Sequence, residues 1–207
     1  MKVAGIDEAG KGPVIGPMVV CGVKADEKDF EKLRKIGVKD SKKLSKSRRE
    51  KLFRIIKNTC EVEVIVIEAS ELNEMMKSSS INDILFNSYA KLILNLKPDI
   101  AYVDSCDVNS KRLSEKLTEK TNIETISMHK ADSIRTEVAT ASIVAKVLRD
   151  RRIEEIKKEI GDFGSGYPSD PKTISFLKKY YEEYGEFPPH VRVFWKTLKR
   201  IKNISLL

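Results

Sequence analysis

Apolar and polar positions along this chain separate into two periods, and the period predicts each element. Residues 2–6 form a short apolar strand, and 18–24 (MVVCGVK) is a β-rich run that pairs with it after a turn. Phe30, Leu33 and Ile36 recur at helical spacing over 27–36, and Gly37 ends that helix. Ser45 or Ser47 caps a second helix reaching about residue 58, with Leu52, Ile55 and Ile56 as its core face. Residues 61–68 (EVEVIVIE) alternate strictly, the mark of a strand with one polar face. A short helix at 70–76 precedes a longer one at 80–96, whose apolar side carries Ile84, Leu85, Tyr89, Leu92 and Leu96. Residues 100–103 (IAYV) are a buried strand that delivers Asp104 at its end, and 123–128 is another strand. Residues 133–160 read as one long helix with Val138, Ala141, Ala145, Leu148, Ile153 and Ile156 inward. Its alanines let it approach a sheet closely. A Gly-Pro loop at 166–171 leads to a helix at 172–184, and a final basic helix carries Val193, Phe194, Trp195 and Leu198.

The order ββ-α-β-α-β-β-α predicts an α/β fold: a mixed sheet flanked by helices, with the last helices as an appended C-terminal lobe. Residues 1–165 are expected to form the catalytic core. Residues 166–207 are expected to form a lobe that does not fold independently.

Composition narrows the partners. The 207 residues are 41% hydrophobic and 34% charged, a globular balance, with a net charge of +8 that suits a polyanion. No apolar run reaches membrane-spanning length, which excludes a membrane partner. The first residues run straight into a strand without a signal-peptide pattern. Cys21, Cys60 and Cys106 are scattered and odd in number, which fits reduced thiols and a cytoplasmic protein.

The stretch GIDEAGKGPVIGP at 5–17 is the densest in unusual chemistry. Asp7 and Glu8 are adjacent carboxylates, and strict alternation would send them to opposite faces. For both to serve one site, the strand must end or bulge there. The N–H groups of Gly10, Lys11 and Gly12 could line a surface for a sugar or phosphate. Asp104 stands at a strand end, where functional groups of α/β sheets gather. Asp132 stands at the start of the long helix, where it could serve the site or cap that helix. Four acids without a His or Cys cluster point to hard cations, Mg²⁺ or Mn²⁺, rather than zinc. Two such cations can clamp the attacking and leaving oxygens of a phosphodiester. The lysine-rich segment at 39–51 could hold a phosphate or be solvated surface.

Six motifs occur together: GIDEAGKGPVIGP (5–17), DSKKLS (40–45), YVDS (102–105), HKADS (129–133), ASIVAKVLRD (141–150) and GYPSDP (166–171). In this order they resemble ribonuclease HII of the archaeal type. The resemblance implies a ribonuclease H-like fold and metal-dependent endonucleolytic cleavage of RNA in RNA–DNA hybrids. It also implies incision 5′ of single ribonucleotides in duplex DNA, leaving 5′-phosphate and 3′-hydroxyl ends. It places metal binding on Asp7, Glu8 and Asp104, with Asp132 as a further catalytic acid. It implies that the backbone of Gly10-Lys11-Gly12 senses the 2′-hydroxyl, here with lysine where the family has arginine. Backbone readout survives that change; a bidentate contact by the arginine would not. Tyr167 matches a tyrosine that packs on the sugar at the RNA–DNA junction, and Lys42 and Lys146 match phosphate-facing lysines. The tail KNISLL lacks the glutamine and paired aromatics of a sliding-clamp peptide, which argues against clamp recruitment through it. A monomer is expected, since the site draws on one chain. A non-catalytic binding module and a DNA-directed nuclease on the same fold are the competing readings.

Overall fold

The computed structural model describes residues 1–38 and 44–205, with side chains to residue 202. Among the described residues five strands form one sheet in the order β3-β2-β1-β4-β5. These are β1 (Lys2–Ala9), β2 (Met18–Asp26), β3 (Glu61–Ile67), β4 (Ile100–Asp104) and β5 (Glu124–Met128). β1 runs antiparallel to β2 and parallel to β4, and β4 runs parallel to β5, so the sheet is mixed as expected. The helices are α1 (Glu27–Lys35), α2 (Lys46–Thr59), α3 (Ala69–Met75), α4 (Ile81–Leu96), α5 (Ser110–Thr121), α6 (Ala131–Ile134), α7 (Thr136–Ile160), α8 (Pro171–Tyr184) and α9 (Lys196–Ser205). None of them is long and apolar enough to cross a membrane.

The chain divides into two compact units. The first comprises Met1–Ala9, Val19–Ile65 and Ser80–Leu148. The second gathers Gly10–Met18, Val66–Ser79 and Arg149–Leu207.

In the first unit both sheet faces are covered. On one, Val3, Val19, Cys21 and Val23 pack in a single core with Leu52 and Ile56 of α2 and Ala139, Ala141, Val144 and Ala145 of α7. On the other, Gly22 faces Leu92 and Leu96 of α4. Each large aliphatic side chain buried this way contributes about 1.5–3 kcal/mol. α4 is held at its start by a capping box, Ser80 with Asp83, and α2 by Ser45, whose hydroxyl accepts from the Arg48 N–H at 3.2 Å. In the second unit Val14, Ile15, Ile153, Ile156, Phe163, Leu177, Val191, Leu198 and Ile201 make a separate core. Both segments of its N-terminal loop and its later helices are therefore tied together by apolar burial.

Several expectations need correction. Strand β1 does not end at Ile6. It continues through Ala9 with an unbroken register, Asp7 opposite Cys21 and Glu8 opposite Val20, so no bulge intervenes. Pairing with β2 satisfies the backbone there and removes any reason to leave the ladder. The long helix is not continuous from 133, because Arg135 is extended (φ −111°, ψ 122°) between α6 and α7. Helix α5 was not anticipated, although Leu113 and Leu117 are spaced one turn apart and both are buried. Ile36 and Ile55 are exposed, and Phe53 takes the buried place on α2. Val193 and Phe194 precede α9 rather than lying on it, and both are exposed.

Among the glycines of the first unit, Gly5 has backbone closest to where a Cβ would stand. A Cβ there would lie under 3.0 Å from the backbone of Glu137 and Val138 in α7. Backbone cannot swing aside as a long side chain can. Gly5→Ala should therefore lower the urea unfolding midpoint by an amount equivalent to about 2–3 kcal/mol. A wild-type midpoint in this variant would mean that α7 does not rest on β1.

Candidate active site

Asp7 and Glu8 leave β1 on opposite faces, as alternation dictates. Asp7 shares the face of Gly5, toward α7, where its carboxylate is hydrogen-bonded by the Ser142 side chain. It also accepts from the N–H of Glu8 at 2.8 Å. Glu8 faces α4, where the Tyr89 hydroxyl donates to its Oε2 at 2.5 Å. The two faces communicate because the neighbouring strand stops at this level. β4 pairs with β1 only as far as Val103 opposite Ile6, and Asp104 ends it. The strand therefore did not need to bulge for both carboxylates to reach one end of the sheet.

Asp104 accepts from the N–H of Ala131 at 2.6 Å, which pins α6 to the end of β4. Lys130 sits in the left-handed region (φ 55°) and turns the chain sharply out of β5 into α6. Asp132 follows Ala131 within α6 and is buried. It lies in the first turn and is not the cap of the long helix. Asp7, Glu8, Asp104 and Asp132 thus belong to one unit, the first three at the ends of β1 and β4 and Asp132 in α6. Lys146 lies one turn beyond Ser142 on α7 and is half-buried. Lys42 lies outside the described residues.

The electrostatics of this cluster are dominated by Asp7, which is only 5% exposed. Burial first, then the charges of Glu8 and Asp104, push its carboxyl well above the ordinary 3.8, against the hydrogen bonds from Ser142 and the Glu8 N–H. Burial and the neighbouring Glu8 charge likewise push the Tyr89 phenol up, so it remains a donor. Among the described residues no three His, Cys, Asp or Glu side chains are gathered into a closed ion-binding cluster. Glu8 and Asp104 each give an oxygen to a protein donor instead. The donor chemistry nevertheless fits a hard divalent cation: carboxylate oxygens only, with the charges of Glu8 and Asp104 acting on Asp7.

The second unit holds the glycine turn. Arg192 is fully buried and donates to the carbonyls of Gly16 (2.9 Å), Lys11 (3.1 Å) and Gly10 (2.6 Å). Trp195 Nε1 donates to the carbonyl of Gly12 at 3.0 Å, and its ring stacks 5.0 Å from the Arg192 guanidinium. Arg149 donates to the carbonyl of Pro17. Gly10 has φ 87°, and a Cβ there would run into the Arg149 side chain, so both its conformation and its space require glycine. Burial and the nearby Arg149 charge push the Arg192 guanidinium down to about 9, still cationic at neutral pH.

Tyr167 belongs to the same unit and is 41% exposed. Its ring is the nearest group to Gly12, 3.5 Å from where a Cβ would stand, and the Arg149 guanidinium lies 5.7 Å from its centroid. The Gly-Pro loop that carries it is fixed by Gly166, whose carbonyl accepts from Val14 and Ile15, and by Asp170, which accepts from Ser165 and caps α8. Tyr167 and Gly12 are thus brought together. Sequence reasoning missed Ser142, Arg149, Arg192 and Trp195 as partners of these residues. Ser142 and Arg149 lay within a quoted motif, whereas nothing around Arg192 distinguished it from a surface arginine.

Asp7 has a folded value above 3.8, so its contribution to stability is complete below that pH and is lost as the pH rises through the raised value. In EDTA at neutral pH, Asp7→Asn should melt higher than the parent, by about 2–4 °C per kcal/mol recovered. The gap should close as the pH is lowered. An equal or lower midpoint at neutral pH would mean that the carboxylate is not held against its charge.

The family model described as Ribonuclease HII matches residues 4–198. A Ribonuclease HII of Archaeoglobus fulgidus is 51% identical over 203 residues, 98% of this chain and 98% of that protein. The solved PCNA:RNase HII complex from Archaeoglobus fulgidus aligns with a TM-score of 0.91 at 51% identity, covering 97% of this chain and 96% of that one. The structure of Bst-RNase HIII in complex with Mn²⁺ aligns at 0.84 with 20% identity, covering 99% of this chain and 70% of that one, a likeness of fold alone.

Proposed function

This chain belongs to the ribonuclease HII family, so it is a ribonuclease H endonuclease acting on RNA–DNA hybrids, and from that premise we propose how its residues divide the work. Asp7, Glu8 and Asp104 hold divalent cations, Mg²⁺ or Mn²⁺, and Asp132 completes the acidic set. The observation that carries this reading is the Asp7 carboxylate, buried beside the charges of Glu8 and Asp104 at the ends of two adjacent parallel strands. Bound cations would activate a water and stabilise the leaving oxygen of a phosphodiester. Ser142 and Tyr89 orient Asp7 and Glu8, and the Ala131 N–H orients Asp104. Cleavage then leaves a 5′-phosphate and a 3′-hydroxyl.

The turn Gly10-Lys11-Gly12 and Tyr167 read the sugar. The 2′-hydroxyl is the group that separates RNA from DNA, and outward N–H groups beside an exposed aromatic ring suit one ribose. On this reading the enzyme also incises 5′ of a single ribonucleotide in duplex DNA. Lys146 and Lys42 serve the phosphate backbone, and the helices after residue 165 form the substrate-binding lobe. No disulfide joins the three buried cysteines, which accords with a cytoplasmic protein, and a monomer is expected because the proposed site draws on one chain. The solved PCNA complex of the Archaeoglobus relative makes a sliding clamp a partner to test here, against the expectation drawn from the KNISLL tail.

On a DNA duplex with one ribonucleotide, Mg²⁺ or Mn²⁺ should give a single cut on its 5′ side, and EDTA should abolish it. Asp7→Asn and Asp104→Asn should each lower kcat by about 10²–10³-fold or more with circular dichroism unchanged. Near-normal turnover in either variant would remove the proposed site. Tyr167→Phe should keep most activity, whereas Tyr167→Ala should lose the junction preference, read as kcat/KM on the single-ribonucleotide duplex over the continuous RNA–DNA hybrid. An unaltered preference in Tyr167→Ala would mean that the loop does not read the sugar.

A further inference from the structure

We propose that Arg192 is a positioning residue for sugar selection: its guanidinium sets the peptide planes of the Gly10–Gly12 turn, with Trp195 as its second anchor. The inference rests on the reading that this turn senses the 2′-hydroxyl.

The argument is one of peptide geometry. A trans peptide is planar, and its C=O and the following N–H point in opposite directions. Arg192 holds the carbonyls of Gly10 and Lys11, which turns the N–H groups of Lys11 and Gly12 away from the protein interior. Trp195 holds the carbonyl of Gly12, which belongs to the peptide leading into Pro13 and carries no N–H. The same guanidinium holds the carbonyl of Gly16, so a single rigid fork ties both limbs of the loop. Arginine suits this place because it presents five donors in one fixed plane. Lysine would keep the charge but not the fork. Glycine is otherwise the freest residue in the chain, and two of the three turn residues are glycines. Without external donors their carbonyls could rotate outward and present an acceptor where the sugar hydroxyl needs a defined partner.

Arg192 is far from the turn in sequence, 182 residues from Gly10, so no local propensity accounts for the pairing. Among the described residues its side-chain hydrogen bonds go to carbonyls and none to a carboxylate. A buried cation held only by carbonyls is costly unless its geometry is used.

The test compares kcat/KM on three duplexes: DNA with one ribonucleotide, a continuous RNA–DNA hybrid, and all-DNA. Arg192→Lys should lower the value for the single-ribonucleotide duplex about tenfold more than for the continuous hybrid. In a continuous hybrid neighbouring riboses offer alternative registers. Trp195→Phe keeps the ring over Arg192 and removes only the donor to Gly12. It should shift the ratio in the same direction by a smaller factor, and it carries the test if Arg192→Lys fails to fold. A variant that is merely destabilised would lose all substrates in proportion, leaving the ratio at the parental value. A parental ratio in both folded variants, with Tyr167→Ala still shifting it, would overturn the role of Arg192 and leave the sugar-reading turn standing. A parental ratio in all three would overturn both.

Discussion

The first unit depends on the approach of α7 to β1 at Gly5. With no Cβ in the way, the helix backbone reaches the strand directly, and the small side chains Ala139, Ala141 and Ala145 keep the gap narrow. That proximity brings Ser142 to Asp7, two residues along the same strand face. A bulkier residue at position 5 would lift the helix and leave the carboxylate with only the Glu8 N–H as donor. The geometry of the acids is thus a consequence of backbone packing, not of the acids themselves, which repel one another.

Both units bury charge of one sign, and this is where function costs stability. In the first, Asp7 is held beside two other carboxylates; in the second, Arg149 and Arg192 lie under one loop, and the Arg149 charge adds to burial in opposing the charge of Arg192. Hydrophobic replacements of similar volume would be expected to stabilise such places. On the proposed reading, the carboxylates persist because they hold divalent cations. The guanidiniums donate to four carbonyls of the glycine-rich loop, those of Gly10, Lys11, Gly16 and Pro17.

The break between α6 and α7 has a related cause. Lys130 enters α6 from a left-handed conformation, and Arg135 leaves it extended. This short helix presents the Ala131 N–H to Asp104 and buries Asp132, which a continuous helix from residue 133 would not do. Arg135 is held in place by its ion pair with Glu137 and by stacking 3.7 Å from the Tyr102 ring. The Tyr102 contact joins residues distant in sequence and helps override the helical pattern of 133–160.

The residue pattern alone sets the alternation and helical periods that place most elements, the acids at strand ends, and the glycine turn with its lysine. It also determined the family, because six motifs in order leave little room for another. It misjudged the end of β1, since pairing with β2 extends the ladder through Asp7 and Glu8 in a way local glycines do not reveal. It overlooked α5, whose two leucines are a weak signal among lysines. Only the tertiary structure decided which groups stand behind the chemical residues: Ser142 with Asp7, Tyr89 with Glu8, and Arg192 and Trp195 with the turn. The reason is physical. Periodicity records which face of an element is buried, whereas the partner of a buried polar group is chosen by three-dimensional packing between segments that may lie 182 residues apart.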